Sequence, residues 1–172
     1  KYKDHPRSID LQYFEGADLI SDGDALKSAG KALESKAAYN EALSRLGNTK
    51  DTSILYAKAQ ARIGEVLYKL KKPEDALKRF DSVRAYIADK KNVTTDPNRR
   101  ANRLQARAIC DYFASRCYKD QTKWDLVVET LENYETIYAD ESVRNFHAAV
   151  KFERLRALLR LNRLDDAEGE TQ

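Results

Sequence analysis

Small and bulky side chains recur at fixed offsets along this chain, and that recurrence limits the fold more than any other feature. Counting from Gly64, Leu67 follows by three residues, Ala76 by twelve, Phe80 by sixteen and Val83 by nineteen. Such spacing describes two packed helices. Gly64 lets the second helix approach closely, Ala76 is the small residue that faces it, and Leu67, Phe80 and Val83 fill the space between. From Gly23 the same offsets fall on Leu26, Ser35, Tyr39 and Ala42, and from Ser115 on Tyr118, Val127, Leu131 and Tyr134. A weaker copy starts at Leu155, where Leu158 and Ala167 match but a bulky residue replaces the small one. The anchors lie 41, 51 and 40 residues apart, so the extra residues must lengthen helices or loops.

Local signals agree with helix pairs. Asp96-Pro97 supplies a capping oxygen followed by a proline suited to a first helical turn. Thr122 with Asp125 resembles a capping box. Gly47-Asn48 is a helix stop. Gly30 and Lys71-Lys72-Pro73 separate the members of a pair. The reading places helices at about 15–29, 31–46, 52–71, 74–90, 98–119, 123–138, 141–161 and 163–169. Residues 1–14 form a lead-in or an extra helix before a repeat domain over 15–172. Leu158, Leu159, Leu161 and Leu164 are left over near the end, which implies a further repeat or a partner capping it.

These offsets resemble the tetratricopeptide repeat, in which a small residue, an aromatic, an alanine and a second aromatic recur at comparable positions. Gly64, Leu67, Ala76 and Phe80 carry the best match, and the likeness runs over about 16–170. It departs from the family where Leu19, Gln60, Asp111 and Lys151 stand in place of the early Trp, and Gly47 and Ala88 in place of the closing Pro. The resemblance implies an all-α, right-handed superhelical solenoid of three to four hairpins, with a concave face lined by each first helix. Family members that clamp a chaperone's C-terminal carboxylate use Lys, Asn and Arg at positions held here by Ile20, Asp24, Arg62, Ile109 and Phe113. That use is disfavoured.

Composition narrows the class. Of 172 residues, 31 are Lys or Arg and 28 Asp or Glu, too balanced for a disordered chain with ten Tyr. Six Gly and three Pro cannot punctuate a many-stranded sandwich. Apolar runs fall well short of the roughly 20 residues that span a bilayer. Two Cys build no disulfide scaffold. The chain begins at Lys1 without Met or signal peptide. It therefore reads as a piece of a longer intracellular, cytoplasmic protein from a reducing compartment.

Nothing in the sequence assembles a catalytic group. His5 and His147 have no Cys or carboxylate at motif spacing. Cys110 and Cys117 lie two helical turns apart on one face, a packing arrangement rather than the short spacing zinc requires. Gly16, Gly23 and Gly30 are isolated within helical pattern, which excludes a phosphate loop. Asp22/Asp24 and Asp165/Asp166 read as solvated or helix-terminal acids. The expectation is a non-enzyme with no cofactor, metal or small-molecule substrate.

Counting from each anchor places Ile20, Asp24 and Lys27 on the concave face. Lys58, Ala61, Glu65, Tyr68 and Lys69 follow from the second pair, and Ile109, Tyr112, Arg116 and Lys119 from the third. The last pair adds Phe152, Arg156, Leu159 and Arg160. This mixed aromatic and basic surface suits an acidic peptide or helix of a partner protein, held by Lys58, Tyr68, Lys69, Tyr112, Arg116, Lys119, Arg156 and Arg160. The same residues also fit an ordinary solvated face. Charge is uneven, net +6 over 71–107 and −4 over 108–172. Arg99, Arg100, Arg103 and Arg107 follow Lys90-Lys91, and offsets of three, four and seven align Arg100, Arg103 and Arg107 on one stripe. RNA is therefore the alternative partner.

Overall fold

Seven residues after each of the four anchors the backbone turns left-handed, at Gly30, Lys71, Thr122 and Asn162, with φ of 76°, 62°, 58° and 57°. At each turn the next residue's N–H donates back five positions: Lys31 to Leu26 O, Lys72 to Leu67 O, Lys123 to Tyr118 O and Arg163 to Leu158 O, at 2.9–3.0 Å. The left-handed residue itself donates back three positions, at 2.9–3.2 Å. This is one helix-terminating motif used four times. It leaves the following residue's carbonyl free to start the next helix, accepting from Ser35, Ala76, Val127 and Ala167 in turn. Those second helices need no Ser or Asp cap, and Lys31, Lys72 and Lys123 make no side-chain cap bond. The Thr122–Asp125 capping box is absent for the same reason. Thr122 is the left-handed residue, and its hydroxyl donates to Gln121 O at 2.7 Å.

The computed structural model describes residues 6–169, and its regular elements are helical throughout. Helix α1 spans Pro6–Ser28 and pairs with α2, Ala32–Gly47; α3 spans Tyr56–Lys69 and pairs with α4, Pro73–Ala88. Helix α5, Pro97–Asp120, pairs with α6, Trp124–Thr130, and α7, Tyr134–Tyr138; α8, Arg144–Arg160, pairs with α9, Leu164–Gly169. The first helix begins at Pro6, so residues 6–14 of the expected lead-in belong to α1. The helix expected over 123–138 is broken at 131–133. The ten residues that stretch the second interval go into a 3₁₀ turn at Lys90–Asn92, an extended link and the early turns of a long α5. Asp96 caps that helix as expected, its Oδ1 accepting from Asn98 N–H at 2.8 Å and Arg99 N–H at 3.3 Å.

The repeated offsets mark real contacts. A Cβ placed on Gly23 would lie 2.6 Å from Tyr39 Cδ1, and one on Gly64 2.6 Å from Phe80 Cδ1, both well inside van der Waals distance. Gly16 makes the same close approach to Leu46. At the twelve-residue offset, Ser35 Oγ donates to Gly23 O at 2.8 Å. Ala76 and Val127 hold the corresponding positions and are fully buried.

Packing follows from the small residues. Helix α3 buries Ala59, Ile63 and Val66 with the first hairpin and Ala57 and Ala61 with α4 and α5. Helix α5 buries Ile109, Cys110, Phe113 and Cys117 toward α3 and α4, and Ala108 toward α6–α8. Helices α3 and α5 are thus covered on two sides, and each successive core shares a helix with the one before. Both cysteines are packing residues, and burial pushes each thiol up to about 12.

A β-branched residue in left-handed backbone is strained by roughly 1–2 kcal/mol. Thr122→Gly is therefore expected to raise stability by about 1 kcal/mol in urea titration, net of glycine's greater freedom when unfolded. The same change at half-buried Thr130, within helix α6, should lower it.

Candidate functional site

The first helices α1, α3, α5 and α8 are stitched edge to edge by polar contacts. Lys69 on α3 pairs with Asp24 on α1 and, at 3.2 Å, with Glu65 on its own helix. Asp24 also accepts from Tyr39 Oη at 2.5 Å. Burial and this bond push the Tyr39 phenol up to about 12. Tyr68 Oη donates to Asp120 Oδ2 at 3.0 Å, joining α3 to α5. Lys119 Nζ donates to Glu153 Oε1 at 2.6 Å, joining α5 to α8. Between these contacts the Arg116 guanidinium lies 5.7 Å from the ring centres of both Tyr68 and Tyr112 and donates to Tyr112 Oη at 3.0 Å. Neither contact neutralises its charge.

These contacts set Asp24, Lys69, Tyr68, Arg116, Tyr112 and Lys119 side by side, but the open part is narrower than expected. Ile20, Ala61 and Ile109 are buried at 4%, 0% and 1% exposure, and Glu65 at 3%. The open-groove expectation fails at these positions because α3 and α5 are covered by neighbouring hairpins on both sides, and Ile20 on α1 by side chains of α2 and α3. Lys69 and Lys119 spend their charge on internal acids, with side chains 14% and 15% exposed. Lys58 sits 5.4 Å from the Tyr13 ring centre, and burial, with Arg62 nearby, lowers its pKa. Tyr112 packs edge-on against Phe113 and Phe146. Arg160 lies over Trp124 at 6.0 Å.

The fourth hairpin keeps its face open. Phe152 is 61% exposed and Leu159 53%, with exposed Arg156 between them on α8. Offsets of four and three put the three on one stripe. Of the left-over leucines, Leu158 is fully buried, Leu161 half-buried, and Leu159 and Leu164 exposed.

The basic stretch divides. Arg100 is exposed, and Arg99 is half-exposed and donates to Thr52 O at 3.4 Å. Arg103 is only 9% exposed, its guanidinium 5.9 Å from the Tyr86 ring centre. Arg107 Nε donates to Asp111 Oδ2 at 2.6 Å. Asp111, 1% exposed, also takes Arg84 Nε at 2.9 Å and Nη2 at 2.8 Å on its other oxygen. The acid read as a missing aromatic is the hub of a buried ion-pair cluster. Arg100, Arg103 and Arg107 line one cleft, as the stripe implied, but they do not form an exposed row.

The remaining candidates are placed separately. His5 lies outside the described residues. His147 packs against the Tyr134 ring at 5.6 Å. Asp166 pairs with Arg163 at 2.6 Å, and Asp22 and Asp165 are exposed. Among the described residues, no group of three or more His, Cys, Asp or Glu could hold a metal ion, and no helix is long and apolar enough to cross a membrane. No protein-family model, curated protein or solved structure matches this chain.

Proposed function

We propose that this protein is a non-catalytic interaction module, a right-handed stack of hairpins resembling tetratricopeptide repeats, that holds an acidic helix or peptide of a partner protein against its first helices. The observation that carries the reading is the Phe152–Arg156–Leu159 stripe. Two large apolar side chains left more than half exposed on one helix face, with a cation between them that has no ion pair among the described residues, are costly in water and productive in an interface. Lys119 and Glu153 tie this stripe to the Tyr112–Arg116 surface, so a partner lying across α8 reaches α5 as well. Arg156 and Arg116 favour an acidic partner, because Lys69 and Lys119 already have acids of their own. The non-catalytic reading rests on scattered chemistry. Both thiols are buried and poorly ionised at neutral pH, and the buried carboxylates Asp111 and Glu153 are occupied by cations.

Phe152→Ala with Arg156→Glu tests the proposal without disturbing the fold, since exposed positions rarely move stability by more than about 0.5 kcal/mol. Capture of the partner that co-purifies with the full-length protein should fall at least about tenfold while circular dichroism is unchanged. Undiminished capture would remove the face from the account. Tyr112→Ala is a poorer probe, because that ring also packs against the core residue Phe113.

A further inference from the structure

A cleft of about 510 Å³ opens between the end of α4, the first turns of α5 and α7. Ile87, Leu104 and Ile137 supply apolar lining, and Arg100, Arg103 and Arg107 supply cations. Arg103 is the unusual member. It is more than nine-tenths buried, yet no acid or carbonyl of the described residues accepts a hydrogen bond from its guanidinium, and its contact is the face of Tyr86. None of its guanidinium nitrogens is sealed from solvent, so a recessed cation with no ion pair among the described residues faces the cleft. Beside it stands Arg100, which makes no ion pair among the described residues; Asp140 on the same lining has its pKa lowered first by its bonds from Ser142 and also by the Arg100 charge. The lining acid Asp140 is turned to local use, its Oδ1 accepting from the Ser142 N–H at 2.9 Å and hydroxyl at 2.6 Å.

We infer that this cleft is a second binding site, separate from the α8 face, which takes an acidic–aliphatic peptide segment by seating a carboxylate on Arg103 and Arg100 and a neighbouring aliphatic side chain on Ile87, Leu104 and Ile137. The planar guanidinium offers paired donors that match a carboxylate. An RNA strand fits less well. Phosphate tracking needs a row of accessible cations, whereas Arg103 is recessed and Arg107 is engaged by Asp111. The apolar lining would gain nothing from a phosphodiester.

The test uses a fluorescein-labelled octapeptide of alternating Glu and Leu, its Gln–Leu counterpart and poly(U), each titrated against the full chain by fluorescence anisotropy. The Glu–Leu peptide should bind saturably and the Gln–Leu peptide at least about tenfold more weakly. Arg103→Met should weaken the Glu–Leu peptide at least about tenfold, exposed Arg100→Ala severalfold, and Arg103→Lys less than Met. Arg103→Met should leave the melting temperature within a few degrees of wild type, since no internal ion pair or hydrogen bond is lost with it. A purely structural arginine behaves differently: Arg103→Met would melt well below wild type and still bind. That outcome overturns the site, as does equal binding of the two peptides or binding of neither. Poly(U) bound more tightly than the Glu–Leu peptide, and lost with Arg100→Ala, would replace the peptide with RNA and overturn the inference. The variants separate the two sites: Glu–Leu binding lost with Arg103→Met and Arg100→Ala belongs to the cleft, whereas binding that survives both and is lost with Phe152→Ala and Arg156→Glu belongs to the α8 face and overturns the inference.

Discussion

Gly64→Ala is expected to destabilise the fold by about 2–3 kcal/mol, although alanine favours an isolated helix over glycine by nearly 1 kcal/mol. The reason is space. The added methyl would stand 2.6 Å from Phe80 Cδ1 and closer still to Cε1. Phe80 is fully buried, with Ala76 and Val83 in the same core, so its ring has nowhere to swing. Either α3 and α4 separate or the ring leaves its rotamer, and both outcomes loosen the core that α5 shares. Urea unfolding measures the effect directly. Gly47→Ala is the control, because nothing lies within 4 Å of the position its Cβ would take; it should leave stability unchanged or raise it. Pairing Gly64→Ala with Phe80→Leu should cost less than the sum of the single changes, the signature of two groups competing for one space. A Gly64→Ala protein more stable than wild type would mean that the hairpins do not nest as described.

Asp111→Ala should be costlier still, about 3–5 kcal/mol. Its carboxylate is 1% exposed and carries Arg84 on one oxygen and Arg107 on the other. Removing it leaves Arg84, itself largely buried between α4 and α5, with only the exposed Asp81, 3.0 Å from its Nη1. Desolvation already opposes the charge on Arg84, and Asp111 more than offsets it, so the Arg84 pKa is raised on balance. Asp111→Asn should cost less, because the amide oxygen still accepts one bond. Asp165→Ala, at an exposed site, should change nothing measurable. Chemical unfolding of the three variants against wild type ranks them. A small loss for Asp111→Ala would show that the cluster holds little of the α4–α5 contact.

The hairpin register was legible in the sequence because it rests on sterics. A second helix can approach only where the side chain is absent or small, so Gly23, Gly64 and Ser115 betray the packing whatever lies further away. Gly30 and Lys71-Lys72-Pro73 marked two of the four turns, whereas Thr122 and Asn162 are residue types that give no comparable warning. The break at 131–133 was not legible. Tyr138 Oη donates to Ala108 O at 2.8 Å, thirty residues back along the chain, so the path of α7 is set by a tertiary contact rather than by local spacing. Site electrostatics were the least readable layer. Lys69 and Lys119 sit where the spacing put them, but their partners Asp24 and Glu153 are 45 and 34 residues distant. No local count reveals which cations are already neutralised. Asp111 misled for the same reason: judged against a repeat pattern it is a missing aromatic, while in the fold it is the acid two arginines require.

Hydrogen exchange on the complex with the co-purifying partner addresses the interaction surface most directly. Slowed exchange should appear in α8 around Phe152–Leu159 and in α5 around Tyr112–Lys119, with α2 and α4 unaffected. Protection confined to α2 or α4, or none in α8, would contradict the assignment of partner binding to the first helices.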